Sequence, residues 1–134
     1  MHTAALGALI DERRVLLVHR RTDERADPGV WDLPGGLVEH GESDVASLAR
    51  ELQEELGVQI ATGTARRLCR QIVRPAGKPV LLSAWLVGDW HGAPENLAPE
   101  EHDGLAWFSL EELPPPPHII VRAALVEALR NQRG

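Results

Sequence analysis

The sequence predicts a mixed α/β fold, a sheet flanked by helices. Short apolar, β-compatible runs recur along the chain, and two other segments carry apolar residues at helical spacing between helix start and stop signals. At 134 residues the chain also has the size of one ordinary domain, residues 1–134, large enough to bury a core.

The elements follow in order. Thr3 to Ile10 and Val15 to Arg20 read as strands, paired through the polar Asp11-Glu12-Arg13-Arg14. Arg21 to Gly29, containing Asp27-Pro28-Gly29, is a polar loop, and Val30 to Leu33 is a short extended piece ended by a tight loop at Pro34-Gly35-Gly36. Ser43 suits an N-cap, Asp44 suits the positive end of a helix and Gly57 suits its C-terminal stop, so a helix is expected from Asp44 to Leu56. Gln71 to Val73 and Pro79 to Trp90 follow as strands, with VLLSAWLV the most buried candidate. His91 to Asp103 is a loop and Ala106 to Phe108 a short strand. Ser109-Leu110-Glu111-Glu112 has the form of a capping box, and the prolines from 114 to 117 stop the turn it opens. His118 to Arg130, apolar at Ile119, Ile120, Ala123, Ala124, Val126 and Leu129, is an amphipathic helix.

Composition excludes several function classes. A net charge of −6 disfavours binding to nucleic acid polymers, which needs clustered cations. Cys69 is the only cysteine, so an intrachain disulfide or a cysteine-based zinc site is ruled out. The N-terminal apolar run is broken by Asp11 and Glu12 and reads as a strand instead of a signal peptide, and no apolar span approaches membrane-crossing length. A cytoplasmic protein without membrane contact is the expectation.

The helix over 44–56 carries the chemistry. Val45, Leu48, Ala49, Leu52 and Leu56 form one stripe, while Glu51, Glu54 and Glu55 cluster roughly 120° away. Carboxylates at this spacing repel one another, so something positive should sit against them; hard oxygen donors on a rigid face suit Mg²⁺ or Mn²⁺. Arg50 and Glu42 stand close enough to pair and hold the preceding loop to the helix. Alone, such a charge run reads as a solvated helical surface.

The loop before it changes that reading. Gly36, Glu42, Arg50, Glu51, Leu52, Glu54, Glu55, Gly57 and Val58 match every specified position of G-x5-E-x7-R-E-U-x-E-E-x-G-U, where U is a bulky aliphatic residue. The segment over 36–58 thus resembles the Nudix box, the signature of the Nudix hydrolases. Trp31-x-x-Pro-Gly-Gly before it and Trp107-Phe108-x-x-x-Glu-Leu after it extend the resemblance to MutT-like members over most of the chain.

The resemblance implies an α/β/α sandwich with a mixed central sheet, and a reaction in which water attacks phosphorus in a nucleoside diphosphate linked to a further group. It implies metal ligation by Glu51, Glu54 and Glu55 with the Gly35 carbonyl, and a scaffold pair of Glu42 and Arg50. It also implies a loop ligand at Glu101, with Glu100 and His102 as rivals. Glu51 or Glu54 would accept the proton of the attacking water, Glu51 being preferred. Arg21 and Arg20 would meet phosphate, a role that guanidinium forks suit. Trp31 could stack on a base, although a tryptophan beside Pro and Gly is more often packing, the role expected for Trp85, Trp90 and Trp107. The expected partner is a small nucleotide, first a (d)NTP, then ADP-ribose or a nucleotide sugar, handled by a monomer or a homodimer. A nucleotide sensor would show a damaged glutamate cluster or a fused domain, and an isoprenoid isomerase a cysteine in a recognisable site; the sequence displays neither. One departure stands out. Members that clear oxidised guanine nucleotides use an asparagine after a proline-rich turn, whereas this region reads Leu113-Pro-Pro-Pro-Pro-His118.

Overall fold

The computed structural model describes residues 1–21, 29–115 and 118–131. Most of the polar loop expected over 21–29 and the end of the proline run, at 116–117, lie outside the described residues. The strands are β1 (His2–Asp11), β2 (Arg14–Arg20), β3 (Trp31–Asp32), β4 (Gly35–Leu37), β5 (Gln59–Ile60), β6 (Ala65–Val73), β7 (Val80–Val87), β8 (Trp90–His91) and β9 (His102–Ser109). The helices are α1 (Asp44–Leu56) and α2 (Ile119–Arg130).

β1 is the spine. It pairs in parallel with β7 from His2↔Val80 to Leu9↔Val87, and its other edge is shared by β4 and, at the hairpin end, by β2. β6 extends the sheet beyond β7, while β3 and β9 flank β2 in antiparallel register. The result is a mixed sheet of seven strands, with β5 and β8 forming a separate small ribbon.

Alternation along β1 builds the two outer layers. Ala5 and Leu9 join Leu48, Leu52 and Leu56 of α1 on one face, while Leu6, Ala8 and Ile10 join Val121, Leu125 and Leu129 of α2 on the other. Gly7 lets α1 approach: a β-carbon there would stand 2.9 Å from a Leu48 methyl. The expected α/β/α sandwich is the observed one.

α1 starts and stops where its signals lie. The Ser43 hydroxyl accepts from the Ala46 amide at 3.1 Å, and Gly57 takes the left-handed conformation with φ +74°. The Glu112 carboxylate accepts from the Ser109 amide at 3.3 Å and from its hydroxyl at 3.0 Å, closing the box that opens the turn over 110–112.

Other expectations need correction. Pro34-Gly35-Gly36 does not form a tight loop, because Gly35 and Gly36 enter β4 opposite Leu6 and Ala5. Gly35 sits at φ +145°, and any β-carbon there would overlap the Ala5 carbonyl, so glycine serves close strand approach instead of a turn. β6 begins at Ala65, well before Gln71, because as an edge strand it carries Arg66, Arg67 and Arg70 outward and loses the apolar signature. The strand expected from Pro79 to Trp90 breaks after Val87 and resumes as β8, β9 starts at His102 inside the expected loop, and α2 starts at Ile119 with His118 as its cap.

Candidate active site

α1 presents its carboxylates in two environments. On the outer side Arg50 gathers them: its Nε donates to Glu42 Oε2 at 2.8 Å and its Nη2 to Glu42 Oε1 at 3.0 Å, a two-point fork. The same guanidinium donates to Glu51 Oε1 at 3.0 Å, Glu54 Oε2 at 3.4 Å and the Leu37 carbonyl at 3.3 Å. Glu42 in turn accepts the Glu39 amide at 2.9 Å. The Arg50 fork and that amide hold the Glu42 carboxyl down to about 2, and the same carboxylates push the Arg50 pKa further up. The loop from Leu37 to Glu42 is thereby tied to the helix.

Glu55 is different. It is 2% exposed, and neither carboxylate oxygen has a hydrogen-bond partner among the described residues. Burial first, then the adjacent Glu51 and the charge of Glu101, push its pKa up to about 10. His102, also buried, brings Nε2 to 3.9 Å from Glu55 Oε1. Burial and the charge of Arg20 lower the His102 pKa and favour the neutral imidazole.

Beside these groups lies a cleft of about 450 Å³. Glu51, Gly35 and Glu101 line it together with Arg20, Asp32 and His118. Gly36 also opens onto it; a β-carbon there would fall 2.6 Å from the Glu51 carboxyl carbon, so the glycine leaves the space that this carboxylate fills. Arg20 donates through Nη2 to Asp32 Oδ2 at 3.1 Å, and Asp32 Oδ1 accepts the Leu33 amide at 2.8 Å. Burial outweighs Arg20 and raises the Asp32 pKa.

The sequence-predicted residues therefore divide. Glu51, Gly35, Glu101 and Arg20 share one cleft, and Glu55 lies against Glu51. Glu54 is turned outward, its side chain 60% exposed. Arg21 points to the loop before β9, donating through Nη1 to the Pro99 carbonyl at 3.0 Å and through its amide to the Glu101 carbonyl at 3.2 Å. Trp31 packs edge-on to Phe108 and against His19, with ring centroids 5.0 Å apart in both pairs. Trp90 stacks on Trp107. Sequence reasoning passed over Asp32 and gave His118 no role in the cleft. The available signal for Asp32 was an acid set in an otherwise apolar extended segment.

Among the described residues no three His, Cys, Asp or Glu side chains already enclose one point. The donor set nonetheless fits a hard cation. Glu55 has two unpartnered oxygens in a dry position, an arrangement that costs free energy unless a cation or proton compensates it, and Glu51 adjoins it.

Comparison with known proteins identifies the family. The family model for the NUDIX domain matches residues 1–129. The CTP pyrophosphohydrolase of Escherichia coli is 36% identical over 107 residues, covering 80% of this chain and 76% of that protein. The 8-oxo-dGTP diphosphatase of the same organism is 28% identical over 114 residues, covering 83% and 86%. A solved MutT NUDIX hydrolase from Burkholderia pseudomallei superposes with a TM-score of 0.81 at 31% identity, covering 92% of this chain and 95% of that one. Family signature, fold and paired carboxylate sites converge on one conclusion: the chain belongs to the Nudix family, whose hydrolases act on pyrophosphate bonds with divalent metal ions.

Proposed function

We propose that the chain is a (d)NTP pyrophosphohydrolase that works with Mg²⁺, or with Mn²⁺ in its place. The observation that carries this reading is the shared cleft. Glu51, Glu101 and the backbone of Gly35, together with a cationic fork (Arg20), line one space of about 450 Å³, within the range of small-ligand sites. The similarity to a CTP pyrophosphohydrolase over most of both chains supports a nucleoside triphosphate.

In this proposal Glu51 and Glu55 hold the metal with the Gly35 carbonyl, Glu101 adds a ligand from the loop before β9, and Glu54 joins by turning away from Arg50. The bound metal would screen phosphate charge and acidify the attacking water. The other steps belong to the chain. Arg20 offers N–H donors to phosphate oxygens, and Arg21 positions the loop that carries Glu101. Glu51 accepts the proton as the water oxygen bonds to phosphorus; the bridging P–O bond breaks, and the products are a nucleoside monophosphate and pyrophosphate. Arg50, engaged by Glu42, keeps the loop and α1 in register while this happens.

Product release from a panel of canonical and oxidised (d)NTPs, ADP-ribose, nucleotide sugars and dinucleoside polyphosphates tests the reading. Turnover of a (d)NTP to monophosphate and pyrophosphate, abolished by EDTA and in a Glu54→Gln control, is the expected result. Turnover confined to ADP-ribose or nucleotide sugars would reassign the substrate, and tight nucleotide binding without turnover of any member would make the chain a sensor.

A further inference from the structure

Unpartnered buried side-chain atoms in the described structure are few, and all but one fall on three residues: Arg20 Nε, His102 Nδ1 and both oxygens of Glu55. Such atoms are costly and rarely scattered at random. These three residues are also connected. Arg20 and His102 are register partners across β2 and β9, at the irregularity between His19 and Arg20, and His102 Nε2 faces Glu55 Oε1 at 3.9 Å. Arg20 is joined in turn to Asp32 in the cleft. A continuous row of polar groups therefore runs from the cleft wall, through the sheet edge, to the buried carboxylate of α1.

We propose that His102 is a positioning residue for Glu55: its Nε2–H is the donor that orients the Glu55 carboxylate toward the metal, while Arg20, its register partner across β2 and β9, flanks it on the cleft side. This rests on the reading of Glu55 as a metal ligand. The backbone holds His102 for the task, since its carbonyl accepts from the Asn96 side-chain amide at 2.8 Å and its amide donates to the Ala98 carbonyl at 3.0 Å. Its 5% exposure leaves the imidazole little freedom. A histidine set beside a metal-bound carboxylate belongs to a second layer around the ion, and such layers set metal affinity as well as ligand orientation.

The test is Mn²⁺ titration of the full chain without nucleotide, read by the electron paramagnetic resonance of free Mn²⁺. His102→Leu is expected to weaken binding about 10- to 100-fold, and His102→Gln, whose amide reaches the Nε2 position, to recover most of it. The melting temperature in EDTA serves as the folding check. If His102→Leu does not fold, His102→Asn decides, because its shorter amide does not reach Glu55 and must weaken Mn²⁺ binding similarly. Wild-type affinity in the folded Leu or Asn variant overturns the proposal, as does a Gln variant no better than either. A directly coordinated nitrogen in the echo-modulation spectrum of bound Mn²⁺ overturns it too, since His102 would then be a ligand. Glu55→Gln separates the two layers of argument: unchanged Mn²⁺ binding there removes the metal reading of Glu55 itself, whereas lost binding with an unaltered His102 variant removes only the positioning role.

Discussion

The carboxylates on and just before one helix live under opposite conditions. Glu42, Glu51 and Glu54 share a guanidinium that satisfies them, while Glu55 sits without a hydrogen-bond partner, neighboured by more negative charge. Nothing in their residue type distinguishes them; Glu54 and Glu55 are adjacent in sequence. The difference teaches where to look for function. A saturated ion network has completed its interactions and can act as scaffold, whereas an unpartnered buried carboxyl is stable only if a cation or a proton completes it.

The sharpest way to break this comparison is to neutralise Glu55. Glu55→Gln should lower kcat/KM by about 10³-fold or more, the effect of losing several kcal/mol of transition-state charge stabilisation. Its melting temperature in EDTA should stay close to that of the parent, because burial and the neighbouring Glu51 and Glu101 already favour the neutral carboxyl in the metal-free chain, and the amide has the same shape. Activity assays beside calorimetry check both halves; a large loss of stability in EDTA would place Glu55 with the scaffold.

Gly36→Ala comes next. The new methyl would displace the Glu51 carboxylate, a flexible end, while leaving the strand intact. A loss of activity of at least about tenfold with little change in melting temperature is expected, on the scale that small misplacements of reacting groups cost. Full activity would mean that Glu51 has other productive positions.

Arg50→Ala should do the reverse. It removes the scaffold cation from all of its acceptors at once, so the melting temperature should fall by a few degrees in thermal unfolding, with activity falling secondarily as the loop over 37–42 loosens. A stable Arg50→Ala chain would show that the loop holds without its pair.

The smallest effect is in acid. The folded-state pKa of Glu42 is depressed to about 2, below its ordinary value of 4.5, so the pair contributes its stability above the ordinary value and loses it as pH falls through about 2. Glu42→Gln should therefore flatten the acid limb of the stability curve over that window and leave the slope above pH 5 unchanged. An unaltered acid limb would mean that Arg50 does not need Glu42.

Much of this was legible in the sequence, for particular reasons. α1 was legible to the residue because Ser43 and Gly57 act locally, and the spacing of its glutamates survives any tertiary context. β6 was not, since its register comes from β7 and its exposed arginines obey solvent instead of an apolar period. The same limit applies to the site. Residues 36–58 announce their carboxylates, but that Glu54 turns outward, that Arg21 braces a loop, and that Asp32 and His118 join the cleft depend on how distant strands meet.

The parallel union of β1 with β7 also sets a timetable for synthesis. Between Thr3 and its partner Leu81 the chain must first make the glutamate helix and the β6 edge. Until then the apolar face of β1 has its hairpin and β4 for company but lacks its longest neighbour. Non-local parallel pairing of this kind is slow and exposes strand edges. The union of β1 with β7 ties together segments far apart in the chain, and it is expected to be a slow step in forming the sheet.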